Sequence, residues 1–293
     1  MKYAYFPGCY LHSSAKEYEM SCNAVNKILG IELIEIPDWN CCGSIDAVYA
    51  YNSLLSLALS TRNLAIAEGM KMDVVTLCSA CYFTLSRANK LLHEDAVLKG
   101  NVDNVINEAG LKYTGEVRVR HYLDVLTNDV GTQKIAEHVK VPLKGLKAAP
   151  YYGCLLVRPP KISKFDDPEH PTSMDKLIMA LGAQIVDYSS KTSCCGASLA
   201  LTDESVMLEM TKGLLLDAKD AGANCIVTLC PMCHFNLDAK QKDIESYFDI
   251  KIDLPILYVT QLIGLGFGLD TKELGLHRNV VSPAKLLQFV RNM

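Results

Sequence analysis

The chain has 293 residues, of which 49% are hydrophobic and 21% are charged, and its formal net charge is -4. This length is sufficient for a full hydrophobic core and lies where single cores commonly divide into two domains. Because Lys and Arg are interspersed with acidic residues, the overall charge gives no reason to expect a nucleic-acid partner.

The sequence does not predict export or membrane insertion. Residues 1–14 contain one lysine and a short apolar run broken by Pro7 and Gly8, which is unlike a secretory signal. The longest apolar stretch, residues 254–269, is shorter than the roughly 20 residues that a membrane-spanning helix needs. We therefore expect a cytoplasmic protein without a membrane span.

In chain order, the first half alternates short strands with helices. The strand KYAYF ends at a Gly-Cys turn, and the helix after it, residues 15–30, stops at a glycine. We predict next a strand at 31–36, a long helix at about 45–68 and a buried strand at 73–77. A helical insertion at 88–112 follows, and a strand and helix within 117–126 close this half.

The second half repeats this order. AYFPGCYLH returns as APYYGCLLV, NCCGSI as SCCGAS, and VVTLCSACYFTL as IVTLCPMCHFNL. The matching strands and helices are predicted at residues 148–152, 172–182, 183–188, about 198–221, 225–229 and 254–263. A repeat of this length indicates a duplicated domain. We place the two domains at residues 1–146 and 147–293, with the linker within 131–148.

Strands that alternate with helices predict an α/β fold with parallel sheets and right-handed crossovers. We expect two tandem Rossmann-like domains related by a pseudo-two-fold axis. Open sheets of this kind bind ligands at the carboxyl ends of their strands. Three turns of each half carry cysteines at that edge, so the sequence predicts that these cysteines converge.

Twelve cysteines are unusual for a cytoplasmic chain and indicate metal binding or redox chemistry rather than disulfides. Two of them, Cys22 and Cys225, are not repeated and are expected to be small apolar side chains of the core. The other ten form two matched sets of five: Cys9, Cys41, Cys42, Cys78 and Cys81; Cys154, Cys194, Cys195, Cys230 and Cys233.

Five thiolates in each half exceed the needs of zinc, which takes four ligands in a structural site. The run of cysteines typical of cubane ferredoxins is absent. A set that includes two adjacent cysteines favours a cluster of several irons, held at separate irons or through a bridging thiolate. Gly43 and Gly196 are then expected to let the chain turn closely past the inorganic core. A zinc-stapled scaffold without catalytic activity stays open as an alternative.

The doubled pattern of Cys, Cys-Cys-Gly and Cys-x-x-Cys resembles the CCG-domain (cysteine-rich domain) family. Over roughly residues 1–265, the two-domain arrangement resembles the B subunits of heterodisulfide reductases from methanogens. The resemblance implies two non-cubane 4Fe-4S clusters, one per domain, which face each other across the domain interface and have the ten cysteines as ligands. It also implies that the mixed disulfide of coenzyme M and coenzyme B is reduced to two thiols by two one-electron steps.

Electrons must reach this chain from a partner, because we find neither a P-loop nor a G-x-G-x-x-G fingerprint after a strand. GLGFG at residues 264–268 is interpreted as a turn, and no flavin or NAD is expected in this chain. The resemblance implies a C-type subunit with cubane clusters, a flavin-containing A subunit and a hydrogenase or formate dehydrogenase module. An iron–sulfur electron-transfer subunit of a lactate, glycolate or succinate dehydrogenase-type complex is the alternative.

Substrate contacts are predicted where the two halves differ near the cysteines. His12 aligns with Val157, and an insertion after Cys154 carries Arg158, Lys161 and Lys164. Cationic side chains suit the sulfonate, carboxylate and phosphate groups of the implied substrate. A solvated loop is the other interpretation of these residues.

His234 follows Cys233, and the first half has Tyr82 at the same place. Histidine titrates near neutral pH, which makes His234 a candidate proton donor. A hydrogen-bonded structural role is the alternative.

Overall fold

The computed structural model describes residues 1–44 and 48–291, which form two similar halves. The first half begins with β1 (Lys2–Tyr5), α1 (Gly8–Leu11), α2 (Lys16–Leu29) and β2 (Glu32–Glu35). After the Cys-Cys-Gly turn come α3 (Val48–Tyr51), α4 (Ser53–Gly69), β3 (Val74–Thr76), α5 (Ser79–Glu94), α6 (Ala96–Glu108), β4 (Val119–His121) and α7 (Tyr122–Asp124). A π-helical segment, Val125–Gly131, and α8 (Thr132–Glu137) complete this half.

The second half follows the same plan. It begins with β5 (Lys147–Tyr151), α9 (Ser173–Ala180) and β6 (Gln184–Ile185). Its remaining strands and α-helices are α10 (Glu204–Asp220), β7 (Cys225–Thr228), α11 (Pro231–Asp238), α12 (Gln241–Phe248), β8 (Ile256–Tyr258), α13 (Val259–Gly266) and α14 (Ala284–Arg291). Short 3-10 turns lie at Ser189–Thr192, Ala197–Leu199 and Leu276–Arg278.

Each half contains one four-stranded parallel sheet. The strand orders, β2-β1-β3-β4 and β6-β5-β7-β8, are equivalent. The register is also equivalent at the last strand, where Thr76 pairs with His121 and Thr228 pairs with Tyr258. The predicted α/β fold with two similar halves is confirmed. In both halves the last strand in chain order, β4 or β8, lies at an edge of the sheet.

The helices after the Cys-Cys-Gly turns differ from the prediction. A single helix was expected over about 45–68, but α3 and α4 are separate, and residues 45–47 lie outside the described part. Asn52 is extended and its side chain accepts a hydrogen bond from the N–H of Leu55, so it caps α4. In the second half Asp203 caps α10 through the N–H of Val206, so this helix begins after the predicted residue 198.

The segment predicted as a helical insertion, 88–112, is largely helical. It consists of the end of α5 and all of α6, which meet at Asp95. Asp95 is extended and accepts the N–H of Leu98, so one residue ends the first helix and caps the second. The predicted linker, 131–148, is likewise partly structured, because it contains α8 and the start of β5.

The hydrophobic core is shared between the halves. Each of its two large clusters of buried side chains draws residues from both, such as Tyr18 with Leu262 in one and Phe6 with Tyr151 in the other. Helices α2 and α13 pack together, with the hydroxyl oxygens of Ser21 and Thr260 2.6 Å apart in a buried hydrogen bond. The assignment of domains to 1–146 and 147–293 stays a prediction.

The long apolar stretch forms β8 and α13 and is almost wholly buried. The prediction of a turn at GLGFG holds only for Phe267 and Gly268, because residues 264–266 are the last turn of α13. A Cβ at Gly264 would lie 2.1 Å from a methyl carbon of Leu274, so glycine is needed for close packing. Among the described residues, we find no helix whose length and apolar character would let it cross a membrane.

Candidate metal centre

The ten repeated cysteines lie where strands end. Cys9 is in α1 directly after β1, and Cys41 and Cys42 follow β2. Cys78 is the residue before α5, and Cys81 is in the first turn of that helix. Their five counterparts in the second half follow β5, β6 and β7 in the same way. The parallel sheets therefore bring each set of five cysteines to one edge, as the sequence predicts.

The two sets of cysteines meet at the interface between the halves. The sulfurs of Cys78 and Cys230 are 4.0 Å apart, and both side chains are buried. Within the second half, the sulfurs of Cys195 and Cys233 are 3.5 Å apart. Cys78 and Cys230 occupy the N-cap positions of α5 and α11, where the helix dipole favours negative charge.

None of the twelve cysteines is part of a disulfide in this structure. A hydrogen bond between two neighbouring thiols lowers the pKa of the one that accepts and raises the pKa of the one that donates. The pKa of Cys42 is held well below its ordinary value by the thiols of Cys41 and Cys81, whereas its neighbour Cys41 has a raised pKa because it donates. Cys230 likewise has a lowered pKa, through bonds from Cys233 and Cys78. Cys42 and Cys230, whose pKa values are lowered, most readily become thiolates, which is the form of cysteine that binds metal.

Cys22 and Cys225 lie apart from these sets. Both are completely buried, and burial raises the pKa of each thiol to about 12. Cys225 lies in strand β7, and Cys22 accepts a 3.4 Å contact from the side-chain amide of Asn26. These properties agree with the prediction that both are core side chains.

The glycines of the two Cys-Cys-Gly turns pack against helices, and their predicted closeness to an inorganic core stays a prediction. At Gly43 an added Cβ would lie 2.4 Å from the carbonyl oxygen of Ser56, and at Gly196 it would lie 3.2 Å from Cα of Met207. These glycines therefore pack the Cys-Cys-Gly turns against α4 and α10. A Cβ at Gly8 would instead lie 3.0 Å from the sulfur of Cys81. The repeated Gly-Cys pair was the sequence signal for this role.

A cavity of about 240 Å³ lies among the cysteines of the second half. Its walls include Cys154, Cys194 and Cys230 together with Ser79 and Ala80 of the first half. Gly153, with a φ of 66°, lies at the wall, and a Cβ there would be 3.4 Å from the sulfur of Cys233. Five thiols around a space of this size, closed by the other half, fit an iron–sulfur group.

Among the described residues, no group of three or more His, Cys, Asp or Glu side chains is placed to hold a single metal ion. The second set of sulfurs is spread around the cavity rather than gathered at one point. Within this set, thiols bond to one another, as Cys195 does to Cys233.

His234 is buried, and its ring interacts with the backbone of Ile256. Burial lowers its pKa to about 3, so it is neutral at physiological pH. Its ring stacks on Tyr258 with centroids 4.0 Å apart, and Tyr258 in turn stacks on Tyr18 at 4.0 Å. The histidine thus belongs to a three-ring stack that joins the two halves.

His121 was missed in the sequence. It ends β4, and its ring meets Tyr82 edge to face with centroids 6.0 Å apart. In the second half the same two positions carry Tyr258 and His234, so the halves hold the same pair of side chains in exchanged places. Alignment of the last strands, Val119–His121 with Ile256–Tyr258, was the signal that could have found it.

The residues predicted to contact substrate lie in three different surroundings. Arg158 holds its own loop together, because its guanidinium donates to the carbonyl of Pro168 at 2.9 Å and bonds to Thr192 and Glu169. Lys161 and Lys164 line a polar cavity of about 630 Å³. His12 makes other contacts, with a carboxylate oxygen of Glu35 3.3 Å from its Nε2.

Comparisons with known proteins agree with the repeat. A family model described as "Cysteine-rich domain" (CCG) matches residues 3–86 and 148–238. The membrane anchor subunit of 8-methylmenaquinol:fumarate reductase from Wolinella succinogenes is 38% identical, over 97% of this chain and 99% of its own. The B subunit of ferredoxin:CoB-CoM heterodisulfide reductase from Methanosarcina mazei is 33% identical, over 98% and 96%.

A second Methanosarcina protein agrees with the first. The B subunit of the ferredoxin/F420H2-dependent enzyme from Methanosarcina acetivorans is 32% identical, over 98% of this chain and 96% of its own. Among solved structures, a hypothetical protein from Helicobacter pylori superimposes with a TM-score of 0.79 at 14% identity, which shows a common fold. The match covers 96% of this chain, which spans about half (52%) of that structure.

Proposed function

Because this chain belongs to the CCG cysteine-rich domain family, with one match in each half, we propose that it holds two non-cubane 4Fe-4S clusters. The ten repeated cysteines are the ligands, five for each cluster. The donor set supports this assignment, because each half offers five thiols outside any disulfide, one more than a tetrahedral zinc site takes. The observation that carries the proposal is the meeting of Cys78 and Cys230 at 4.0 Å.

The chain is an oxidoreductase subunit that works in a complex, as its relatives from Methanosarcina indicate. The finer proposal is that it reduces the CoB-CoM heterodisulfide to two thiols. A disulfide takes up two electrons and two protons in this reaction, and bound iron–sulfur clusters supply electrons one at a time. Two sets of ligands on facing walls would place both clusters within reach of one disulfide, whose two sulfurs then leave as thiols.

Charge in the inserted loop supports an anionic substrate. Lys161 and Lys164 have no ion-pair partner among the described residues, and both line the 630 Å³ cavity with Arg118. Tyr82 lies in the same cavity wall, one residue after Cys81. We therefore keep Lys161 and Lys164 as substrate contacts, and we assign Arg158 to support of the loop. His12, paired with Glu35, is the weakest member of the predicted set.

Replacing both Lys161 and Lys164 by Gln should raise the apparent KM for the heterodisulfide several-fold and leave kcat unchanged. The charges would be lost from the cavity, whereas the cysteines would be untouched. Initial rates with reduced viologen over a range of substrate concentrations measure both constants. Lys272→Gln, an exposed lysine in another part of the chain, is the matched control. An unchanged KM in the double variant would remove these residues from the substrate site.

A second function is favoured by the relative from Wolinella, which is similar over almost its full length. In that case the chain relays electrons in a complex of the menaquinol:fumarate or succinate dehydrogenase type. The same ten ligands serve either function. That relative is named as a membrane anchor subunit. In this chain, no described helix is long and apolar enough to span a membrane.

Turnover separates the two functions. The intact complex, loaded with iron and sulfide, should consume the heterodisulfide when reduced viologen is supplied. Fumarate-dependent oxidation of a menaquinol analogue by the same preparation would instead support the second function. If the loaded complex consumed no heterodisulfide, the leading proposal would be wrong. We propose the partners implied by the resemblance: a C-type subunit with cubane clusters, a flavin-containing A subunit and a hydrogenase or formate dehydrogenase module, all cytoplasmic.

A further inference from the structure

Ser79 is a residue of the first half that lies in the cysteine cavity of the second half. It begins helix α5 and is part of the wall of the cavity of about 240 Å³. Ala80, the next residue, lines the same cavity. Cys78, the N-cap of α5, has its sulfur 4.0 Å from that of Cys230. The first turn of α5 therefore closes a cavity whose thiols belong to the other half.

The hydroxyl group of Ser79 is buried and unpaired. Only 3% of the residue is exposed, and its Oγ has no hydrogen-bond partner among the described residues. In contrast, the buried hydroxyls of Ser56 and Ser60 donate to backbone carbonyl groups. Because buried polar groups are nearly always paired, an unpaired one calls for a partner that is bound from outside the chain. A group that fills the cavity beside Ser79 would supply the missing acceptor.

The helix end that carries Ser79 also suits an anion. The first N–H groups of an α-helix have no acceptor within the helix, and the helix dipole places partial positive charge there. Met232, in the first turn of α11, lines the same cavity, so two helices begin at its wall. A cluster held by thiolates carries negative charge, which both helix ends would stabilise.

The second half has no such hydroxyl at the equivalent position. The first half has Ser79 between Cys78 and Ala80, whereas the second half has Pro231 after Cys230. Proline has neither a hydroxyl group nor a backbone N–H to donate. The two Cys-x-x-Cys turns therefore share their cysteines but differ in the residue that follows the first of them. At this position a hydrogen bond can be offered only by the first half.

We propose that Ser79 donates its hydroxyl hydrogen to a sulfur of the iron–sulfur group in the second half, so that the first half raises the redox potential of that cluster. This inference rests on the proposed function, because it assumes that a cluster fills the cavity. Hydrogen bonds to the sulfurs are among the factors that set the potential of a cluster. A donor stabilises the reduced state more than the oxidised state, because the reduced cluster carries more negative charge.

Ser79→Ala removes the donor and little else. Alanine fits the start of a helix and is smaller by only the oxygen atom, so the cysteines beside it should keep their places. The matched control is Ser86→Ala, the same change further along α5, in the wall of the cavity of about 630 Å³. Redox titration of the loaded complex, followed by electron paramagnetic resonance, measures the one-electron steps in each protein.

We expect Ser79→Ala to shift one of the two steps to a more negative potential and to leave the other in place, with full iron content. Ser86→Ala should shift neither step. No shift in Ser79→Ala would overturn the inference. Equal shifts of both steps, the same shift in Ser86→Ala, or loss of iron from Ser79→Ala would also overturn it, because the hydroxyl would then act through the fold or through cluster assembly.

Exchangeable protons near the cluster give a second measurement. Electron–nuclear double resonance of the reduced clusters detects nearby protons, and a comparison of protein loaded in H2O and in D2O identifies those that exchange. The unchanged protein should show an exchangeable proton that Ser79→Ala lacks and Ser86→Ala retains. If every exchangeable signal persisted in Ser79→Ala, the hydroxyl would not be bonded to a cluster, and the inference would be wrong.

Iron and sulfide analysis of the unchanged protein comes first and tests the proposed function alone. If the intact complex contains no clusters, the proposed function fails. If clusters are present and neither their potentials nor their proton signals respond to Ser79→Ala, only the role of Ser79 fails. The two failures are therefore distinguishable.

Discussion

Replacing Cys42 by Ala should remove about half of the iron, which is about four of the eight atoms expected for two 4Fe-4S clusters. Cys42 is buried, and its thiol is bonded to those of Cys41 and Cys81. It is thus the central member of the first set of cysteines. Without its thiolate the first cluster loses one of its five proposed ligands. The second set, around Cys230, should keep its iron.

The matched control is Cys225→Ala. Cys225 is equally buried, but it lies within β7, and its pKa is raised by burial alone. Its removal should cost about 1 kcal/mol of stability through lost packing and should leave the iron content unchanged. Iron and acid-labile sulfide, measured on protein purified without oxygen, give the comparison. Full iron content in Cys42→Ala would contradict the ligand assignment.

The same measurement decides between iron and zinc. A zinc-stapled scaffold would contain about two zinc atoms and no sulfide, because each structural site holds one ion. Cys42→Ala could then leave four cysteines in the first half and lose no metal. Half-loss of iron and retention of zinc are opposite results from one variant. The two outcomes differ because each half has five cysteines, one more than a zinc site needs.

The duplicated architecture could be predicted from the sequence because the repeat carries both its strands and its cysteines. Aligning GCYLH with GCLLV, and the two Cys-x-x-Cys turns, placed every repeated cysteine at the end of a strand, which is where the structure has them. Short right-handed crossovers allow only a few strand orders in a parallel sheet, so the positions of these cysteines were strongly restricted. Cys22 and Cys225 were separated from the others by the same alignment.

Other features depend on contacts that periodicity does not encode. Helix α10 begins at Glu204 because Asp203 caps it, although the apolar pattern continues before that residue. The role of Gly43 depends on its distance to α4. Arg158 could be read as a free cation in the sequence, since its partners Pro168 and Thr192 approach it only in the folded loop.

Gly43→Ala should destabilise the chain by roughly 2–5 kcal/mol. Gly43 has a φ of 81°, and an L-residue in the left-handed region costs about 1–2 kcal/mol. Its Cβ would also lie 2.4 Å from the carbonyl oxygen of Ser56, and overpacking of this kind costs about 1–3 kcal/mol. The clash is with backbone, so no side-chain rotation relieves it.

The same contact links stability to the metal centre. Hydroxyl groups of α4 hold the Cys-Cys-Gly turn, since Ser56 donates to the carbonyl of Gly43 at 2.5 Å and Ser60 donates to that of Cys42 at 2.6 Å. A methyl group at residue 43 would force the turn away from these donors and move Cys42 with it. We therefore expect Gly43→Ala to lose iron from the first half as well as stability.

Gly30→Ala is the matched control for Gly43→Ala. Gly30 ends α2 with a φ of 70°, and a Cβ there would have no atom within 4 Å. Only the strain of the left-handed backbone applies here, so Gly30→Ala should lose about 1–2 kcal/mol of stability and keep its full iron content. Urea denaturation of the two variants measures the difference. Equal losses of stability would mean that backbone strain accounts for the whole effect, and that the Cys-Cys-Gly turn can move away from α4 without penalty.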